Sequence, residues 1–479
     1  MSNVTPPRRS SRPARSWRLG HLALAIVILL GAALRLVWVS DMEYKFDESW
    51  MYERFRYVGS KEPFPWVGMP SSVGLRNPGL SVWVFLALGH LTRAQDPTDL
   101  ARAVQVLNII AILLVVFFAV RLVAEGQREP WLWAAALVCV SPPAIIFQRK
   151  IWAQSVLPFF AMPTVVAWWN RDTRLGALAW GLLGTCLGQI HMAGFFFAAG
   201  LALWCLLFDR QNVRWGSWLL GSAVGALPMV PWFVYLVPRV SWSTGAAPAR
   251  GWLGAKFWLL WMTESLGLED IRYILGAHFS DFLGYPLVGQ TPTYLVTLAL
   301  ATAIVATGLI LLKGGVVLWE RRGTWAILLT GRGSHTTLAV NAATIAFGLL
   351  LTLAPLRIYR YYLLAAFPVS FVWLALVALA RTDSRLFVPT FGRIAMAVLS
   401  LASLVTSATF LLYIHVHGGA PQGDYGRSYA VQRAMAAGDD ACRSAGPGGG
   451  GYPADWTASA RQEHSCLPED ATRMVPPVR

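Results

Sequence analysis

The chain has 479 residues, 56% of them hydrophobic and only 14% charged, with a mean hydropathy of +0.49. Soluble domains carry roughly a quarter charged residues, so this composition excludes a soluble globular protein and fits a polytopic membrane protein. The net charge of +15 comes with no aromatic-and-basic module of the kind that holds nucleic acid, and it follows from retention of Arg and Lys on the cytoplasmic side of a membrane.

Residues 1–18 are polar and carry Arg8, Arg9, Arg12, Arg15 and Arg18. They form a basic cytoplasmic tail ahead of a first span over 19–40. That apolar run is too long for a signal peptide, and no small-residue cleavage site follows it. Further spans are expected over 99–124, 130–147, 151–170, 174–190, 192–208, 215–237, 291–312, 335–354, 360–381 and 394–416. The pair 174–190 and 192–208 reads as a hairpin turning near His191. The fold class is therefore all-α, a polytopic membrane protein of about eleven transmembrane helices. Its N-terminus is expected in the cytoplasm and its C-terminus outside.

The segment 79–92 decides the orientation. As a helix it reaches about 21 Å, short of the roughly 30 Å hydrocarbon core. If it does not cross, Arg121, Arg128, Arg171, Arg174, Arg210, Arg214, Lys313, Arg321, Arg322, Arg332, Arg381, Arg385 and Arg393 all fall on the cytoplasmic side, as the positive-inside rule requires. The segment is then an amphipathic helix at the outer interface. Outside lie a first loop over 41–98, a large loop over 238–290 and a tail over 418–479. The Trp- and Leu-rich stretch 251–275 of the large loop reads as amphipathic helices on the membrane or over a groove.

The same parity gathers a chemical set on the outer face. "KFDESWMY" (45–52) carries the adjacent acids Asp47 and Glu48 just beyond the first span. "QRKIW" (148–152) carries Arg149 and Lys150, "GQIHMAG" (188–194) carries Gln189 and His191, and "LRIYRYYL" (356–363) carries Arg357 and Arg360. Basic residues in short outer turns run against the positive-inside rule. One alone reads as snorkelling to headgroups, and four on one face read as an anion site. A carboxylate pair beside cations suits a base that activates a nucleophile while cations hold an anionic leaving group.

Cys139, Cys186 and Cys205 sit in apolar runs as packing residues, whereas Cys442 and Cys466 lie in the polar tail and can pair if that tail is extracytoplasmic. His415 and His417 form an H-x-H that reads first as an interfacial turn. No further cluster has metal-ligand spacing, so a divalent ion stays an open option at Asp47 and Glu48 alone.

"FDESWMY", "RNPGL" (76–80), "QRKIW", "GQIHMAG" and "RYYLLAAFP" (360–368), in this order, resemble the GT-C fold membrane glycosyltransferases, nearest to the bacterial dolichyl-phosphate-mannose-protein mannosyltransferase-like and aminoarabinose transferase group. The resemblance covers 19–417, and Gly79 stands where the family has a second Pro. It implies a polyprenyl-phosphate-linked hexosyl or pentosyl donor bound from the outer leaflet and transfer to an acceptor hydroxyl on a protein, lipid or polysaccharide. It implies Asp47 as catalytic base, Glu48 as the supporting acid and Tyr52 as a substrate-side aromatic, with no certain cofactor. Two rivals stay open at this point. One is a transporter or flippase of lipid-linked sugars, disfavoured by the lack of internal repeats and of mid-membrane charges. The other is a non-catalytic partner in glycan assembly.

Overall fold

The structure is a computed structural model that describes residues 14–70, 76–239, 256–331, 333–354 and 358–437. Helix occupies at least part of every expected span. The chain runs α1 (Ala14–Leu36), α2 (Phe46–Tyr57), α3 (Leu80–Thr92), α4 (Pro97–Arg121), α5 (Arg128–Val140), α6 (Pro142–Phe147), α7 (Leu157–Trp169), α8 (Arg174–Ile190), α9 (Met192–Phe208), α10 (Trp215–Ala226) and α11 (Val230–Leu236). The large loop supplies α12 (Lys256–Thr263), α13 (Leu268–Leu275) and α14 (Phe279–Gly284). Then come α15 (Leu295–Glu320), α16 (Trp325–Thr330), α17 (His335–Asn341), α18 (Phe347–Leu353), α19 (Val369–Leu379), α20 (Phe391–His417) and α21 (Tyr429–Ala436).

Local chemistry sets the boundaries. Asp96 caps α4 by accepting from the Thr98 N–H at 2.8 Å, with Pro97 at the first helical position. Thr173 caps α8 through the Gly176 N–H at 3.0 Å. The pair Pro142–Pro143 breaks the expected 130–147 span into α5 and α6, because a proline nitrogen cannot continue the ladder. Small residues let α8 and α10 meet closely: a Cβ on Gly221 would stand 2.0 Å from the Leu178 carbonyl oxygen.

Among the described residues, five helical stretches are long and apolar enough to cross a bilayer, namely α4, α10 running on into α11, α15, α17 running on into α18, and α20, and there are six if the segment Arg360–Ala366 and α19, bent by 80°, count as one. Of the other expected spans, α1 is one helix whose apolar part runs over Leu22–Leu36, and the rest are shorter or broken helices. α7 starts at Leu157, six residues later than expected, because 148–152 is non-helical and 153–156 is a single 3-10 turn.

The helix ends sort into two groups. At one end Arg393 pairs with Glu129 at 2.6 Å, Ser334 meets Gln127 at 3.1 Å, and Glu320 accepts from Thr382 at 2.7 Å. The basic turns at 128, 171, 214, 321 and 381 share that end. At the other end the loops carrying Asp47, Lys150, His191 and Arg360 converge with α12–α14. The tail residues 419–427 form a hairpin strap of two short strands, Gly419–Ala420 and Gly426–Arg427, which returns over the loop between α1 and α2. Cys442 and Cys466 lie outside the described residues.

Candidate active site

α2 begins where its sequence calls for a helix N-terminus. Lys45 is the capping residue, and Glu48 at the third helical position turns its carboxylate back to accept from the Lys45 backbone N–H at 3.0 Å. Two acids in the first turn also meet the positive end of the helix dipole. Successive residues on a helix point about 100° apart, so the acids separate. Glu48 is buried, and Asp47 is half-exposed.

Asp47 Oδ2 accepts the Trp152 indole N–H at 3.0 Å. Behind it runs an alternating row of charges. The Lys150 ammonium lies 2.8 Å from Glu43 and 3.9 Å from Glu48, and it sits 4.5 Å from the centre of the Trp152 ring. Glu43 also meets Lys45 at 2.6 Å, and Lys45 meets Asp424 of the strap at 3.0 Å. Burial pushes the Glu48 carboxyl up to about 7, against the pull of the Lys150 ammonium and with a push from Glu43.

An aromatic wall flanks Asp47. Tyr361 meets Trp152 edge-on at 4.8 Å, Tyr359 stacks on Tyr361 at 5.3 Å, and the His191 ring meets Tyr362 at 4.9 Å. The His191 Nδ1 accepts the Ala193 N–H at 3.3 Å and so caps α9. Arg360 projects toward the large loop, with its Nε 2.7 Å from Asp270 and its guanidinium 5.3 Å from the Tyr273 ring centre. Burial pushes Asp270 up to about 7 despite Arg360, and it raises Glu264 as well, helped by Asp270. Glu264, Asp270 and Arg360 line a cavity of about 130 Å³.

The expected site residues thus divide. Asp47, Glu48, Lys150 and His191 share one neighbourhood, with Arg360 at its edge. Arg149 does not face it: its buried guanidinium donates to the carbonyls of Leu34, Arg35, Val37 and Trp38, at 3.0 Å to Arg35 and 2.7 Å to Val37. It closes the C-terminal end of α1, and the expected contact with a lipid phosphate gives way to that role because these donors are already engaged. Gln189 is buried between helices and donates to the Gly225 carbonyl at 2.7 Å. Tyr52 spends its hydroxyl on the Gln95 carbonyl at 2.6 Å. Both polar groups are thus engaged away from Asp47. Arg357 lies outside the described residues.

A divalent ion held jointly by Asp47 and Glu48 does not fit. The two carboxylates diverge, with Glu48 turned to the Lys45 N–H and Lys150 and Asp47 turned to Trp152. Among the described residues, no three His, Cys, Asp or Glu side chains converge as metal ligands. His415 pairs with Asp41 at 2.6 Å while His417 turns to the Tyr413 carbonyl at 2.8 Å, so the H-x-H splits. Sequence reasoning missed Glu43, Lys45, the role of Trp152 and the strap with Asp424. Lys45 and Trp152 stood in quoted stretches, but nothing in their local pattern tells which neighbours they meet.

No protein family and no curated protein matches the chain. Among solved structures it is similar to ArnT from Cupriavidus metallidurans bound to undecaprenyl phosphate, at 12% identity and a TM-score of 0.46 over 95% of this chain and 86% of that one. It is also similar to the apo oligosaccharyltransferase of Archaeoglobus fulgidus, at 13% identity and a TM-score of 0.46 over 98% of this chain and 62% of that one. At this identity and superposition the likeness carries no argument.

Proposed function

We propose that the protein is a membrane glycosyltransferase that moves a sugar from a polyprenyl-phosphate-linked donor to an acceptor hydroxyl on the extracytoplasmic face. The carrying observation is the Asp47 carboxylate, half-exposed on the first turn of α2 and oriented by the Trp152 indole at 3.0 Å. A base needs an open face and a fixed direction, and Asp47 has both. In the reaction Asp47 takes the proton of the acceptor hydroxyl as its oxygen bonds to the anomeric carbon. The bond from that carbon to the phosphate oxygen breaks, and its electron pair leaves on the lipid phosphate. Lys150 and Arg360 supply positive field for the charge that develops there. Glu48 and Glu43 hold Lys150 in place, and the faces of Tyr359 and Tyr361 offer stacking surfaces for a sugar ring.

The proposed topology has eleven spans, the N-terminus inside, the tail outside and α3 at the outer interface. The sorting of basic turns to the end opposite Asp47 supports it. α6 and the 153–156 turn lengthen the short helices α5 and α7.

Purified protein incubated with a panel of radiolabelled polyprenyl-phosphate hexoses and pentoses tests the reading. Release of free polyprenyl phosphate with label on an acceptor is expected. Movement of intact donor across a vesicle membrane without cleavage contradicts it and favours a transporter.

A further inference from the structure

The cations near Asp47 differ in how readily they can take a new anion. Arg149 is spent on carbonyls. Lys150 is 8% exposed between two carboxylates, and Arg360 is 18% exposed on Asp270. Lys45, two residues before Asp47, is 38% exposed: its ammonium keeps buried Glu43 at 2.6 Å on one side, and on the other it meets the Asp424 carbonyl at 2.6 Å and the equally exposed Asp424 carboxylate at 3.0 Å. Exchanging one exposed anion for another costs little, whereas opening a buried pair strands a charge.

Asp424 reaches Lys45 because the strap is fastened around it. The Tyr429 N–H donates to the Met42 carbonyl at 3.0 Å, and the Tyr425 N–H donates to the Ile274 carbonyl at 2.9 Å. Gln432 Nε2 donates to the Tyr44 carbonyl at 2.7 Å. The strap thus ties the lead-in to α2 to the large loop. Tyr273 of that loop lies within electrostatic range of Asp424, Lys45 and Arg360 together. The Asp424 carboxylate is therefore seated on Lys45, at the side of the site where the large loop carries Tyr273 and Arg360.

We infer that Lys45 is a phosphate-binding cation of this site, and that the Asp424 carboxylate, carried there by the C-terminal strap, occupies it until the donor's lipid phosphate displaces it. The inference rests on the polyprenyl-phosphate donor proposed above. It gives the strap a regulatory part, since whatever holds the strap down competes with donor.

The test is binding of undecaprenyl phosphate to the full-length protein in nanodiscs, with inorganic phosphate titrated in parallel. Wild type is compared with Lys45→Gln, Asp424→Asn and Asp424→Glu, and each is checked by melting. Lys45→Gln is expected to raise Kd about 10-fold, the loss of one charge-assisted contact. Asp424→Asn is expected to tighten binding several-fold, and Asp424→Glu to return it to the wild-type value. Tighter binding cannot come from a damaged fold, so the Asp424 pair decides the matter even if Lys45→Gln is unstable. The same order of variants with inorganic phosphate assigns recognition to the phosphate alone, and the order with the lipid only assigns it to the lipid headgroup as a whole. Wild type that binds neither probe overturns the donor reading itself. Wild type that binds while Lys45→Gln is unchanged, or Asp424→Asn is weaker, overturns this inference alone.

Discussion

Arg149 and Lys150 are neighbours in sequence with opposite employment, and sequence alone gives no means to separate them. Both are basic residues of one short turn, and only the fold shows that Arg149 points at the open end of α1 while Lys150 points at Glu43. Arg149→Gln should cost on the order of 2–3 kcal/mol of stability by leaving buried carbonyls unmet. It should leave the affinity of the folded fraction for undecaprenyl phosphate unchanged. Melting and lipid titration on one preparation check both halves, and a stable variant with weakened lipid binding returns Arg149 to the anion site. The acids were legible as a pair, but their division into a buried and a half-exposed member depends on which face of α2 packs inward. That division has a pH signature. The Glu48 carboxyl is raised to about 7 in the folded protein, against a reference near 4.3. The folded state then holds more proton than the unfolded one between about pH 4.3 and 7, so the contribution of Glu48 falls as pH rises through that window. Melting temperature should decline from pH 5 to pH 7.5, and Glu48→Gln should make the decline shallower. Asp270, raised likewise, sustains the remainder. An identical slope in the variant contradicts the buried position of Glu48 beside Glu43 and Lys150.

At the scale of elements, apolar runs located the long helices, and prolines account for the breaks at 142–143, 228 and 368. Helix starts at Asp96 and Thr173 follow from capping residues that any reading recognises. The strap was not legible. A Gly-rich polar tail reads as solvated chain, and its order comes from distant partners in the 41–45 segment and in α13. Gly276 marks the junction: it sits at φ +55, and a Cβ there would stand 2.4 Å from the Gln422 carbonyl oxygen. Only glycine takes that backbone and that approach together. Gly276→Ala should therefore loosen the strap, seen as faster amide exchange over 419–427 and over 41–45. Unchanged exchange in both segments would mean that the strap is held without this junction.

For the whole molecule, the alternation of apolar runs and basic turns carried the most information, because insertion sorts charge before packing begins. It says nothing about which loops touch, and the site is made of such contacts. The proposed sidedness predicts that Ser60→Cys is labelled from outside by a membrane-impermeant maleimide and that Thr324→Cys is labelled only after permeabilisation. Reversal of either removes the shared outer face. The central claim is that Asp47 is the base. Asp47→Asn keeps the shape and can still contact Trp152, but it cannot take a proton, and general-base catalysis contributes about 10²–10⁴-fold. The direct measurement is sugar transfer from a polyprenyl-phosphate donor by purified Asp47→Asn protein, with its melting temperature and donor affinity recorded beside it. The account predicts transfer lowered by at least about 100-fold at near-normal stability and donor binding, and near-normal transfer by that variant would contradict it.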